Sequence, residues 1–347
     1  MVLWLRESNG GYTLDKIPLL IIAGPTATGK SAVAVQVAKQ LDGEVVSADS
    51  MLIYRRMDIG TAKPTLSEME GIPHHLIDIV EPDANFTVAV YQKMARKTIA
   101  EIDRRGRLPI LVGGTGFYID AVIYDYDFGF SGINRELRDA LKREAEEKGN
   151  EALYQKLREV DPRAAERIHV NDVKRIIRAL EIYHQAGGSG SLSRRENKKE
   201  YPCYAKLFIG LSYNRDELYR RIEARVDKMI NDGLVSEVAG LLNDGYHPGL
   251  TSMKGLGYKE IAGYLQNEYS LEEAVKLLKR NTRRFAKRQL TWFKRYSSIK
   301  WIDMEKYDTI NNAADKILSF IRQEIALAGR KKKEKIPTEG TTCQNLK

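Results

Sequence analysis

Eight consecutive residues constrain this chain most tightly. Gly24-Pro25-Thr26-Ala27-Thr28-Gly29-Lys30-Ser31 match the phosphate-cradle pattern G-x-x-x-x-G-K-[ST]. The pattern has meaning only between a buried strand and a helix, and both are present. Ile17–Ala23 (IPLLIIA) is a short apolar run bounded by Gly24, as expected of a strand covered on both faces. Ser31–Leu41 (SAVAVQVAKQL) has helical spacing, with Gly43 as its expected stop. The glycines let backbone N–H groups turn inward around a phosphate, and the helix N-terminus adds positive potential. Lys30 is expected to reach a terminal phosphate oxygen and Ser31 to ligate Mg²⁺.

The residues that follow keep a strand–helix rhythm. Glu44–Ala48 and Leu76–Val80 read as strands, Val88–Arg105 as a helix stopped by Gly106, and Leu108–Val112 as another buried strand. Strand signals then vanish, and Asn134–Lys148, Glu151–Val160 and Asp172–Gln185 read as helices. The sheet resumes at Tyr204–Leu211, and Asn214 with Glu217 spells a capping box for the next helix. Lys300–Asp303 reads as a last strand and Thr309–Ala328 as a last helix. The expectation is an α/β fold: a P-loop NTPase-like parallel sheet with helices on both faces and a helical insertion domain. Its core occupies 17–119 and 201–328, the insertion 120–200, and a disordered basic tail 329–347. The Gly/Ser- and charge-rich stretch 187–199 reads as a mobile linker.

A phosphate cradle shows that a di- or triphosphate binds, not that one is hydrolysed. Nucleotide hydrolases place a Mg²⁺-linked Asp at the end of an apolar strand. Here Leu108–Val112 runs into Gly113-Gly114-Thr115-Gly116, without an acid. Asp49, after EVVSA, is the nearby strand-end acid, placed to act on a group being joined to or displaced from the phosphates.

The chain has 56 Lys and Arg against 47 Asp and Glu, a net charge of +9 that favours a polyanionic partner. Lys279–Lys300 holds nine of those cations and no acid. Arg280, Arg284, Lys287 and Lys294 recur at near-helical spacing, which predicts a phosphate-binding face, with Leu278, Phe285 and Trp292 anchoring the helix behind it. Arg288 belongs to the same run. Two cysteines, Cys203 and Cys343, make neither a disulfide framework nor a zinc pair. No run of 18 apolar residues occurs, so the reading is a cytoplasmic monomer without a membrane span.

Eight ordered stretches give the chain a resemblance to the tRNA dimethylallyltransferase (tRNA isopentenyltransferase) family, bacterial type without a zinc finger. They are GPTATGKS (24–31), DSMLIY (49–54), GTAKP (60–64), HHLID (74–78), GGTGFY (113–118), NDVKRIIRALE (171–181), KGLGYKE (254–260) and TRRFAKRQLTWF (282–293). The resemblance implies transfer of a dimethylallyl group from dimethylallyl diphosphate to N6 of adenine 37 in a tRNA anticodon stem-loop. It gives Asp49 the general-base role, with Thr26 and Thr115 at the reaction centre. It places Asp49, Ser50, Met51, Leu52 and Thr115 beside the target base. The diphosphate falls to Gly24–Ser31 with one of Arg221 and Arg225, which share a helix face. It assigns Arg138, Lys174, Arg175, Arg178, Lys254, Gly257, Tyr258 and Lys259 to tRNA. Leu52 departs from the pattern, which usually has Gln there, so a polar base contact is not expected at that position. Three other readings fit parts of the chain. A transferase acting on free adenine nucleotides, or a small-metabolite kinase, would leave the basic run unused. A non-catalytic RNA-binding protein would leave the cradle and Asp49 unused.

Overall fold

The computed structural model describes residues 16–126, 128, 134–185 and 199–332. The chain runs through β1 (Ile17–Ala23), α1 (Lys30–Leu41), β2 (Gly43–Ser47), the one-turn α2 (Leu66–Met69), β3 (His74–His75), α3 (Val88–Arg104), β4 (Leu108–Gly113) and α4 (Gly116–Ile123). Four helices follow: α5 (Arg135–Lys148), α6 (Asn150–Val160), α7 (Pro162–Ala165) and α8 (Val173–Gln185). Then come β5 (Tyr204–Ser212), α9 (Arg215–Asn231), α10 (Leu234–Asn243), α11 (Tyr258–Leu265), α12 (Leu271–Phe293), β6 (Lys300–Asp303) and α13 (Ile310–Lys332). Two compact units result. The larger takes the chain up to Ile123 and again from Pro202; the smaller is Tyr124–Tyr201.

The larger unit is built on a six-stranded sheet in the order β3-β2-β4-β1-β5-β6. Every pairing is parallel. β1 lies inside it, with Ile21 opposite Leu111 on one side and Phe208 on the other. Its Leu19–Ala23 segment is buried, which is why the sequence shows a continuous apolar run rather than alternation. On one face Val33, Val37 and Leu41 of α1 meet Ala314, Ile317 and Leu318 of α13 over Ile22, Ile110 and Ile209 of the sheet. Each fully buried Val, Leu or Ile among these contributes about 1.5–3 kcal/mol. α3 and α4 pack together, with Tyr91 stacked on Tyr118 at 3.9 Å. A second apolar cluster joins α9, α10, α11 and α12 through Val226, Val238, Ile261 and Leu278. The smaller unit has its own core around Leu153, Leu157, Ile176 and Leu180. Among the described residues no helix is long and apolar enough to cross a membrane.

Several local expectations change. The strand read at Leu76–Val80 is instead the two-residue β3 at His74–His75. Leu76 and Asp78 take left-handed φ values of 63° and 54°, which a strand cannot include. The amides of Asp78 and Ile79 go to the carbonyls of Leu52 and Ile53 instead. α1 is stopped by Asp42 in the left-handed region, while Gly43 opens β2, where a Cβ would sit 2.8 Å from Ile110 Cδ1. Asn214 caps α9 through its side chain, but Glu217 turns to Arg220, and the Asn214 N–H donates to Glu305. α13 runs on past Ala328 to Lys332. The short α7, started by Pro162 behind the Asp161 cap, had not been expected. The linker up to 198 and the tail beyond 332 lie outside the described residues.

Candidate active site

Three loops leave the carboxyl ends of the adjacent strands β2, β4 and β1, the position where open α/β sheets bind ligands. The loop after β1 is the cradle. Ala27 takes φ 65° and Gly29 φ 81°, which turns the chain tightly into α1. Buried Thr28 donates its hydroxyl to Pro25 O (2.9 Å), and Lys30 Nζ donates to the same carbonyl (2.7 Å). Ser31, on the first turn of α1, is exposed.

After β2, Asp49 sits partly buried with its Oδ1 accepting the Met51 N–H at 2.8 Å. After β4, Thr115 accepts the Ser50 N–H on its Oγ1 (3.0 Å) and donates that hydroxyl to Ser50 Oγ (3.3 Å). The Asp49–Ser50 turn and the Thr115 turn are therefore stitched together, and Met51 and Leu52 continue from them half-buried. Between cradle and turn lies Gln289 of α12. Its Oε1 accepts the Thr26 N–H and its Nε2 donates to Gly114 O, each at 2.9 Å. The glycines of the β4 turn make this approach possible. A Cβ on Gly114 would lie 2.2 Å from Gln289 Nε2, and one on Gly116 would lie 2.2 Å from Trp292.

The charges gathered here are mostly positive. Burial, then the neighbouring Arg225 guanidinium, pushes the Lys30 pKa down to about 7, with Asp49 pulling it up. Burial also lowers Arg225, opposed by Asp49 and Glu68. Burial, Tyr54 and Asp49 raise the Tyr118 phenol. Asp49 thus lies within electrostatic reach of Lys30, Arg225 and Tyr118. Arg225 donates to Thr61 O (3.1 Å), while Arg221 donates to Ala27 O (3.0 Å) and lies over the Tyr213 ring at 4.6 Å. Both arginines of the shared α9 face therefore reach the cradle or the loop beside it. The Thr61 loop is itself clamped: Glu237 accepts the N–H groups of Asp58, Ile59 and Gly60 together with the Tyr258 hydroxyl.

The basic run divides. Arg280, Arg284, Lys287, Arg288 and Lys294 are exposed and have no carboxylate partner among the described residues, although Arg288 lies 5.8 Å from the Phe285 ring. Lys279 and Arg283 instead pair with Asp227 and Glu223 of α9. The buried face of α12 is Ala274, Leu278, Thr282, Ala286, Gln289 and Phe293. Phe285 and Trp292, expected in the anchor, are half-buried at its margin, with Arg295 stacked 3.9 Å over Trp292. Lys254 and Lys259 are exposed. Gly257 and Tyr258 are not surface groups: Tyr258 is fully buried, and Gly257 is the buried N-terminal cap of α11, its N–H donated to Glu260. In the smaller unit Lys174 and Arg175 are exposed, Arg175 pairing with Asp172. Arg138 and Arg178 both pair with the fully buried Glu181, which holds part of each guanidinium in the smaller unit's interior.

Sequence reading passed over Gln289, Glu237 and the buried Lys63, which donates to Tyr54 O and to Asp58 and Asp78. Gln289 was detectable, because it is a polar residue recurring at the apolar period of an amphipathic helix. Glu237 was not, since its partners are backbone amides far away in the chain.

The family model for IPP transferase matches residues 52–296. The tRNA dimethylallyltransferase of Alkaliphilus oremlandii is 55% identical over 302 residues, covering 86% of this chain and 96% of that protein. That of Pelotomaculum thermopropionicum is 53% identical over 302 residues, covering 87% and 96%. The crystal structure of the tRNA isopentenylpyrophosphate transferase of Bacillus halodurans matches with a TM-score of 0.69 at 43% identity, over 92% of this chain and all of that one. A eukaryotic dimethylallyltransferase acting on tRNA matches with a TM-score of 0.78 at 29% identity, over 90% and 80%. With the cradle, the strand-end carboxylate and these relationships together, the chain belongs to the IPP transferase family of tRNA dimethylallyltransferases.

Proposed function

We propose that the chain transfers the dimethylallyl group of dimethylallyl diphosphate to N6 of adenine 37 in a tRNA anticodon loop, releasing pyrophosphate. The observation that carries this reading is the convergence of an anion cradle flanked by Lys30, Arg221 and Arg225 with the Asp49 carboxylate and the Thr115–Ser50 pair. The N6 lone pair attacks C1 of the dimethylallyl group, and the C1–O bond breaks with its electron pair leaving on pyrophosphate. N6 then loses a proton to Asp49. An exocyclic amine is a weak nucleophile, so a carboxylate that aligns it and takes its proton is needed. Asp49 Oδ1 is held by the Met51 amide, which leaves Oδ2 for the proton.

Gly24–Ser31 would hold the diphosphate, with Lys30 and Arg225 against its charge and Arg221 shaping the loop at Ala27. We assign Arg225 the direct contact because it shares electrostatic reach of Asp49 and Lys30. Thr26 and Thr115 flank the gap between donor and base. The oxygen donor at the mouth, the exposed Ser31 hydroxyl, suits Mg²⁺, which takes one or two protein oxygens and completes its shell with phosphate and water. When bound, that ion would neutralise charge growing on the leaving pyrophosphate.

A base stacked in a loop must be extruded to reach this depth, at a few kcal/mol repaid by phosphate contacts. We assign those contacts to Arg280, Arg284, Lys287, Arg288 and Lys294, with Lys254 and Lys259, and in the smaller unit to Lys174 and Arg175. We place the reaction in the cytoplasm, with a single chain as the working unit. Incubation with total tRNA, labelled dimethylallyl diphosphate and Mg²⁺, with free AMP as control acceptor, tests the reading. Label entering tRNA at an adenine supports it; label entering AMP alone assigns the site to free nucleotides.

A further inference from the structure

α12 shows RNA-facing cations on one side and sends a single neutral amide inward on the other. Gln289 is only 6% exposed, so water cannot replace its two hydrogen bonds. One bond reaches the donor loop at the Thr26 N–H, beside Ala27 in its left-handed conformation. The other reaches Gly114 O, one residue before Thr115 on the base side. Only a group that both accepts and donates can hold these two backbone atoms together, and only one orientation of the amide does so. The gap is matched to that amide. A Cβ on Gly114 would meet Gln289 Nε2 at 2.2 Å, while the nearest atom outside Gln289 is Gly24 O at an ordinary 3.5 Å.

We propose that Gln289 is a positioning residue for the transfer: it sets the distance between the donor loop and the adenine-side turn, and anchors that distance to the helix whose other face meets the RNA. The inference rests on the transfer reading above. Both ends of the Gln289 amide are spent on backbone atoms, so its loss should act on reacting geometry rather than on binding. Misplacement on the ångström scale costs up to about 100-fold in rate.

The experiment compares Gln289→Glu and Gln289→Leu with the wild-type enzyme, using tRNA and labelled dimethylallyl diphosphate. Both variants should lose about 10–100-fold in kcat. Their tRNA affinity, salt slope and pyrophosphate affinity should stay within about threefold of wild type, the pattern of an interaction made only in the transition state. The Glu side chain has no donor while ionised, but its protonated form donates to Gly114 O and accepts from the Thr26 N–H. Its kcat relative to wild type should therefore rise as pH is lowered, and that of the Leu variant should not. A third arm uses Gly114→Ala, which should lower kcat in the wild-type background and add little once Gln289→Ala has removed the clash. Wild-type kcat in both the Glu and Leu variants overturns the proposal. So does a loss confined to tRNA affinity, or a Glu-to-wild-type kcat ratio that is flat with pH. If the Leu variant is too unstable to assay, the pH profile of the isosteric Glu variant decides. Failure of the wild type itself to label tRNA would instead remove the transfer reading.

Discussion

A lysine ammonium withdrawn from water and set near a guanidinium gives up its proton readily, and Lys30 is in that position with a pKa of about 7. Its folded value lies below the ordinary 10.5, so between those pH values the folded chain binds fewer protons than the unfolded one. Stability from this group therefore rises with pH across that window. A bound diphosphate reverses the preference by favouring the charged form. At pH 8 pyrophosphate binding should accordingly draw up to about one more proton into the wild type than into Lys30→Met. Calorimetric titration in buffers of different ionisation enthalpy reads that difference, and equal proton uptake would show that Lys30 is already charged in the empty cradle. Asp49 plays a separate role. Asp49→Ala should leave pyrophosphate binding nearly intact and lower turnover by roughly 10²–10⁴-fold, the range for loss of a general base. Near-normal turnover would take the carboxylate out of the mechanism.

Among the elements, α12 makes the clearest claim on RNA, because four exposed cations along it and Lys294 at its C-terminal cap lack a carboxylate partner among the described residues. Each phosphate contact releases counterions, so log affinity falls with log salt by about 0.7–0.9 per contact. Replacing Arg280, Arg284 and Lys287 together with Gln should weaken tRNA binding and flatten that slope by about two to three units, with pyrophosphate affinity unchanged. Filter binding across a salt series measures both; an unaltered affinity and slope would make the stripe a solvated surface. This stripe was legible in the sequence because helix spacing and charge sign are local properties. So were β1, the cradle, α1 and the buried strand β4, whose patterns need only their own residues. β3 was not, because the run Leu76–Val80 resembles a strand until Leu76 and Asp78 turn left-handed and bond to the Leu52–Ile53 backbone. Arg178 shows the same limit: its spacing from Arg175 gave no sign that its guanidinium also pairs with the buried Glu181 one turn along α8.

At the scale of the whole molecule, the two compact units divide the chemistry and are held by different means. The cradle, Asp49, Thr115 and Gln289 all lie in the larger unit. The smaller one closes around Glu181, a carboxylate with no exposed surface. Burial alone would raise its pKa, but hydrogen bonds from Arg138, Arg178 and the Asn134 N–H overcome that and hold it below the usual value. Glu181 therefore adds stability above its unfolded pKa, and that contribution is lost as pH falls through the lower folded value. Removing one of its cations leaves a buried charge short of partners, so Arg178→Met should cost the smaller unit about 1–3 kcal/mol at neutral pH. Pyrophosphate with Mg²⁺ acts on the other unit. At a hundred times its Kd, it should stabilise whatever folds with the cradle by about 2.7 kcal/mol. Scanning calorimetry of the full chain should then show two responses: Arg178→Met lowers one transition, and the ligand raises the other by the same amount in variant and wild type. A single transition that both perturbations move would mean that the chain unfolds as one cooperative block.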